Sequence, residues 1–256
     1  MRNLVSAFIL VAFVGCGGGS STGSAGATPV GNPTLTTIGD QSAQPTIGTE
    51  WTYQQQVLQG PIPYNGQSGT LTLTFNGQLP YRGANHYSVQ AHSSIAVAPD
   101  LTSFYQQQSG LFSELAGAFY NFAISPGCNK SPQQEDLLAT PVSFTTLGST
   151  QFGETSIRCG FNDVPSSDSI VVSDKGTATT VTPGGIFSTV VRAGVFVTFG
   201  QRVEYTDYVA GITVVERDVT FFDANNSVTA ITSTKYKTGP LNVAFPGPAM
   251  LLAQYN

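Results

Sequence analysis

The hexapeptide Thr70-Leu71-Thr72-Leu73-Thr74-Phe75 alternates hydroxyl and apolar residues without a break. Successive side chains leave opposite faces of a pleated strand, so a period of two marks a strand with one face in a core and one in water. The period returns along the chain. Trp51 and Tyr53 stand two apart in 50–58, and 86–97 alternates again. Runs rich in β-branched and aromatic residues fill 155–159, 169–173, 177–182, 186–199, 202–208, 212–222 and 228–236. Turn residues separate them: a Pro-Gly-Asn connection at 60–66, Tyr81 to Gly83, Gln106 to Gly110, and Asp223-Ala224-Asn225-Asn226. Only 133–138 suggests a helical turn or two. The predicted fold is all-β, an antiparallel sandwich or strongly curved sheet over 48–256. The proline-broken tail from Gly239 is expected to be an edge or wrapping segment.

Composition fits that reading. Charged residues make up 10% of the chain, against about 25% in typical soluble domains. Thr, Ser, Gly and Gln take their place, as suits an exported β protein. The net charge is −5 and there is no run of Lys and Arg. Phosphate backbones and anionic lipid headgroups therefore find no basic patch, and nucleic acid is excluded as a partner.

The first sixteen residues, MRNLVSAFILVAFVGC, carry one Arg, an apolar run from Leu4 to Val14, and then Gly15-Cys16. That is a charged n-region, an h-region too short to span a bilayer permanently, and a small residue at a cut site. The segment resembles a bacterial lipoprotein signal whose lipobox is Phe13-Val14-Gly15-Cys16. The resemblance implies a signal peptide over 1–15, cleavage before Cys16, and lipid on the Cys16 sulfur. Two or three acyl chains hold a protein to a membrane, since each buried methylene contributes about 0.8 kcal/mol. Gly17, with no Asp there, matches the sorting habit of outer-membrane lipoproteins. The implied location is the cell envelope, with the protein facing the periplasm or the cell surface. Residues 16–47 are Gly, Ser, Thr and Pro with few large apolar groups, and read as a flexible tether with a coil-like reach of about 30 Å.

Cys16 apart, Cys128 and Cys159 remain. In an oxidising compartment an even remainder reads as a disulfide, stabilising by roughly 3–4 kcal/mol on the chain-entropy view.

Two segments, 48–125 and 137–238, repeat an order of turn glycine, aromatic strand, tyrosine, glycine and apolar strand, the pattern of a duplicated meander. In the second, Thr182-Pro183-Gly184-Gly185-Ile186-Phe187 and Asp207 to Val215 are similar to exported bacterial all-β proteins of unassigned function. That resemblance transfers no active site.

Candidate chemistry is sparse. His86 and His92 share a strand face about 20 Å apart, too far for one metal; neither a metal nor a cofactor is expected. Gly19-Ser20-Ser21-Thr22-Gly23 has the spacing of a nucleophile elbow but lacks the strand and helix that motif needs. The carboxylate pairs Glu204/Asp207, Glu216/Asp218 and Asp168/Asp174 could flank a glycosidic bond only across a cleft. They read instead as solvated strand charges, with Arg202 and Arg217 as exposed cross-strand partners. Trp51, Tyr53, Tyr87, Tyr105 and Tyr208 read as core or as the lining of a ligand groove. The expectation is a non-enzymatic binding or structural module with no buried group of ionisable side chains. Its partner would be an envelope protein, a glycan or a lipid. The alternatives are a half-barrel carrier or chaperone for a lipid or other apolar ligand, and a glycan hydrolase.

Overall fold

The computed structural model describes residues 35–36, 38, 44–60, 62–81, 83–95, 101–108, 111–118, 135–142, 147–148, 150–159, 162–198, 201–241 and 243. Among the described residues twelve strands run in chain order: β1 (Glu50–Gln59), β2 (Ser68–Tyr81), β3 (Ala84–Ser93), β4 (Leu101–Gln108), β5 (Leu111–Ala118) and β6 (Glu135–Val142). They continue with β7 (Thr150–Cys159), β8 (Asn162–Thr182), β9 (Gly185–Thr198), β10 (Gln201–Ala210), β11 (Thr213–Phe222) and β12 (Val228–Thr238). Every strand pairs antiparallel with its neighbours in sequence, and β1 also pairs with β12, closing a barrel. Of the two arrangements open to the sequence, the curved sheet is the one adopted. Its curvature runs to closure, which removes the sheet edges. The two similar segments contribute β1–β5 and β6–β12 to this one continuous meander.

Local expectations hold where alternation is strict. Leu71, Leu73 and Phe75 are buried, and the threonines between them lie on the other face. Trp51, Tyr53 and Val57 of β1 point inward, while Gln54 and Gln56 are exposed. Where the sequence suggested helix at 133–138, residues from Glu135 onward form β6. Pairing with β5 on one side and β7 on the other overrides the local preference.

The long β8 bends where Asp174 and Thr177 interrupt its register with β9. Gly176 takes φ +94° there and donates its N–H to Asp174 Oδ1 at 2.6 Å, a conformation that favours glycine. Beyond the bend, the tip of the β8–β9 hairpin returns to β12. The Gly184 N–H meets the Tyr236 carbonyl at 3.0 Å, and Phe187 packs edge-on against Tyr236 at 5.8 Å.

Chain on both sides of the strands joins this end. Leu35 bridges Ile186, the Thr36 N–H donates to the Ile186 carbonyl at 2.7 Å, and Ile38 packs on the core. The chain thus engages the barrel thirteen residues ahead of the expected boundary at Gly48, through the Leu35 bridge and the packing of Ile38. After β12, the Pro240 carbonyl accepts from Trp51 Nε1 at 2.8 Å, and Leu241 and Val243 join the same cluster. The rest of the tail expected to be an edge or wrapping segment lies outside the described residues.

Candidate functional site

The interior is layered. One apolar cluster gathers Trp51, Tyr53, Leu71, Leu73, Phe75, Val89, Ala91, Tyr105, Phe187, Val215 and Tyr236, among others. A second gathers Val57, Ile95, Ile170, Val172, Phe196, Val203, Tyr205, Val219, Phe221 and Ala230. Following single strands from one cluster to the other crosses a polar residue each time. It is Gln55 in β1, Ser93 in β3, Arg192 in β9, Asp207 in β10, Arg217 in β11, and Thr232 with Thr234 in β12.

The register aligns these residues into a belt. Gln55 stands opposite Thr234, Thr234 opposite Arg217, Arg217 opposite Asp207, and Asp207 opposite Arg192. Paired residues of an antiparallel ladder share a face. Ser93 Oγ donates to Gln55 Oε1 at 2.6 Å, extending the belt to β3.

At its centre Arg217 grips Asp207 with two parallel hydrogen bonds. Nε reaches Oδ1 at 2.5 Å and one terminal nitrogen reaches Oδ2 at 2.6 Å. The side chains are 4% and 5% exposed. Burial works against the guanidinium charge, but attraction and hydrogen bonding to Asp207 outweigh it and hold the Arg217 pKa above its ordinary value. The Arg217 guanidinium also lies 5.2 Å from the Tyr205 ring centroid.

Phenols crowd the pair. Burial raises the Tyr53 pKa well above 10, with Tyr236 adding to the rise and Arg217 opposing it. Tyr205 is raised too, first by burial and then by the Asp207 charge, against the pull of Arg217 and Arg192. Its ring lies over β9, where a Cβ on Gly194 would overlap the Tyr205 ring and hydroxyl. A glycine at 194 leaves room for that ring. Among the described residues, the hydroxyls of Tyr53 and Tyr205 and the Nε atoms of Arg192 and Arg202 are buried without a hydrogen-bond partner.

A buried ionisable group therefore exists, which overturns the expectation that there is none. The reason lies in strand alternation. Asp207 falls on the face of Val203, Tyr205 and Val209, and Arg217 on that of Val219 and Phe221. Arg217 is not an exposed partner, and Asp207 faces away from Glu204. The signal was present: opposite charges on the apolar faces of two strands joined by the short turn Gly211-Ile212.

The remaining candidates scatter. Trp51, Tyr53 and Tyr105 are buried in the first cluster, with Tyr87 and Tyr208 half-buried against it. Glu204 lies outside, 3.6 Å from Arg202. Glu216 and Asp218 are on the outer face, and Glu216 meets Lys235 at 3.0 Å. Burial raises the Glu216 pKa, Lys235 opposes the rise and Asp218 adds to it. Asp174 is exposed; the Asp168 side chain lies outside the described residues. His86 and His92 sit on the outer face of β3, and among the described residues no group of three metal-ligating side chains gathers. Cys16, Cys128 and the 19–23 motif lie outside the described residues, as does the Cys159 side chain.

No family model matches the chain, and no curated protein matches it. Two solved structures are similar to it at low identity. One is a protein of Bacteroides fragilis described as exported and of YMCC-like fold, 12% identical, covering 77% of this chain and 98% of that one at a TM-score of 0.42. The other is described as a lipoprotein of Parabacteroides distasonis, 11% identical, covering 78% and 99% at a TM-score of 0.41. Likenesses this distant assign nothing to the present chain.

Proposed function

We propose that this is a membrane-anchored protein of the cell envelope whose barrel binds rather than catalyses. The lipid on Cys16 fixes it, by preference to the outer membrane, and the barrel stands in water. The outer faces support that placement, since they carry Gln54, Gln56, Thr72, Glu204, Thr206, Glu216 and Asp218 among scattered apolar residues such as Leu58, Val171, Val181 and Val195, while the large aromatic side chains of the core turn inward. A membrane-spanning barrel has the reverse pattern.

The observation that carries the non-catalytic reading is the Asp207–Arg217 clamp. Both carboxylate oxygens are engaged, and the neighbouring phenols are held neutral by burial. Among its described residues the belt offers charge and hydrogen bonds, but no free base and no activated nucleophile. A carrier of an apolar ligand is the second reading. It is favoured by ring size, since eight strands already suffice for a side-chain-filled interior and twelve enclose more.

Two measurements test the proposal. Cys16→Ser should move the protein from the membrane to the soluble fraction; continued sedimentation with membranes overturns the anchor. Mass spectrometry of protein purified from its own membranes should recover a compound bound stoichiometrically and unchanged. Turnover of envelope glycans by the same preparation would overturn the binding reading.

A further inference from the structure

We propose that the tip of the β8–β9 hairpin, residues 177–189, is a lid that seats on one end of the barrel and lifts about Gly176. The lid goes beyond the binding reading above and depends neither on it nor on the lipid at Cys16.

Among the described residues, both neighbouring strands stop where the lid begins. β7 last pairs with β8 at Val171, and the Gly148 N–H adds one bond to the Val172 carbonyl at 3.0 Å. β10 last pairs with β9 at Val190. The register between β8 and β9 breaks at that same level, between Asp174 and Thr177, where Gly176 takes φ +94°. Thr177 to Thr182 and Gly185 to Thr189 therefore continue as a ribbon of two strands. Such a ribbon draws little stability from its own ladder, and a bulge that carries a left-handed glycine is where it can pivot.

The contacts that seat the lid are local. The Gly184 N–H reaches the Tyr236 carbonyl, and the Phe187 ring stands edge-on to that of Tyr236. Leu35 and Thr36 strap the tip from outside, through the Leu35 bridge and the Thr36 N–H to the Ile186 carbonyl. The two glycines at the tip make the fit close. A Cβ on Gly184 would stand 2.5 Å from the Tyr236 ring and 2.6 Å from the Lys237 carbonyl oxygen, and one on Gly185 would stand 2.5 Å from Thr36 Oγ1.

The underside is built to part from what it covers. Phe187 is its buried ring, and the other buried positions are threonines, Thr180, Thr182 and Thr189. Their hydroxyls bond within the hairpin itself. Thr180 meets Thr189 at 2.8 Å, Thr189 donates to the Ala178 carbonyl at 3.1 Å, and Thr182 donates to the Gly185 carbonyl at 3.4 Å. Lifting the hairpin as a unit breaks none of these bonds and strands no hydroxyl. A segment held by few buried apolar groups belongs to the part of a fold that opens first.

Iodoacetamide labelling of the full chain carrying Cys16→Ser, with the sites mapped by mass spectrometry, tests the lid. A thiol introduced by Thr180→Cys sits on its underside, and one introduced by Val172→Cys is buried in the same strand below the pivot. Thr180→Cys should react about tenfold faster than Val172→Cys, or more. Adding Gly184→Ala, which wedges the tip against Tyr236, should raise the Thr180→Cys rate by about tenfold. Adding Thr36→Pro, which deletes the donor of the strap, should raise it by about two- to tenfold. The Val172→Cys rate and the β circular-dichroism spectrum should stay as they are in both variants. Equal rates at the two thiols, or a Thr180→Cys rate that neither variant changes, overturns the lid. Hydrogen exchange of the hairpin's own ladder amides as fast as the labelling overturns it as well, because the tip then unravels and does not lift.

Discussion

Glu216 and Arg217 are neighbours on β11, and each has an ion-pair partner on an adjacent strand. The outer pair, Glu216 with Lys235, is a single contact at 3.0 Å, with the lysine side chain 40% exposed. The inner pair, Arg217 with Asp207, is bidentate and almost wholly removed from water. One step along a strand exchanges one setting for the other, because alternate residues face opposite sides. The chemistry is the same and the consequences differ. Water and salt screen the outer charges. The inner charges have only each other and the belt, so each is costly without its partner.

The largest effect should come from removing one inner charge. Asp207→Ala or Arg217→Ala is expected to lower unfolding free energy by about 3–5 kcal/mol, read by urea denaturation. Replacing the pair together, Asp207→Leu with Arg217→Met, should restore most of that loss, since no stranded charge remains. A double variant as unstable as the singles would mean that the belt stabilises beyond its own pairing.

Next in size is an alkaline effect confined to the interior. The folded pKa of Tyr53 lies above the unfolded value near 10, so its contribution is complete below about pH 10. It is lost as pH rises toward the folded value, by about 1.4 kcal/mol per pH unit for one phenol. Tyr53→Phe should flatten the fall in denaturation midpoint between pH 10 and 11; an unchanged slope would place that hydroxyl in water. Smallest is the outer pair. Lys235→Ala should cost about 0.2–1 kcal/mol and vanish in molar salt. A larger, salt-insensitive loss would erase the contrast between the two faces.

Much of this could be read before the fold was seen. The alternation of Leu71, Leu73 and Phe75 set their face. The inner pair was only partly within reach. Alternation puts Asp207 and Arg217 on the apolar faces of their strands, but a plain two-residue turn at Gly211-Ile212 would set Asp207 opposite Glu216, and it is the register shift between Tyr208 and Val209 that brings Arg217 there instead. Reading the charges as solvated missed that, since charged side chains usually face water. Gln55 was different. Its place beside Thr234 depends on β1 meeting β12, and no local period or turn encodes a contact so distant in sequence. Closure itself was hidden for the same reason, because the inward pattern of a sandwich and that of a barrel are alike.

The seam between β1 and β12 has a consequence for biogenesis. Each hairpin of the meander can zip up locally as the polypeptide emerges, but the first strand waits for the last before its free border is satisfied. A chain truncated before Val228 keeps every earlier hairpin and bares two raw borders, β1 and β11, which invite self-association instead of circularisation. Closure must therefore wait for the whole polypeptide, and the eleven-residue β12 acts as its latch.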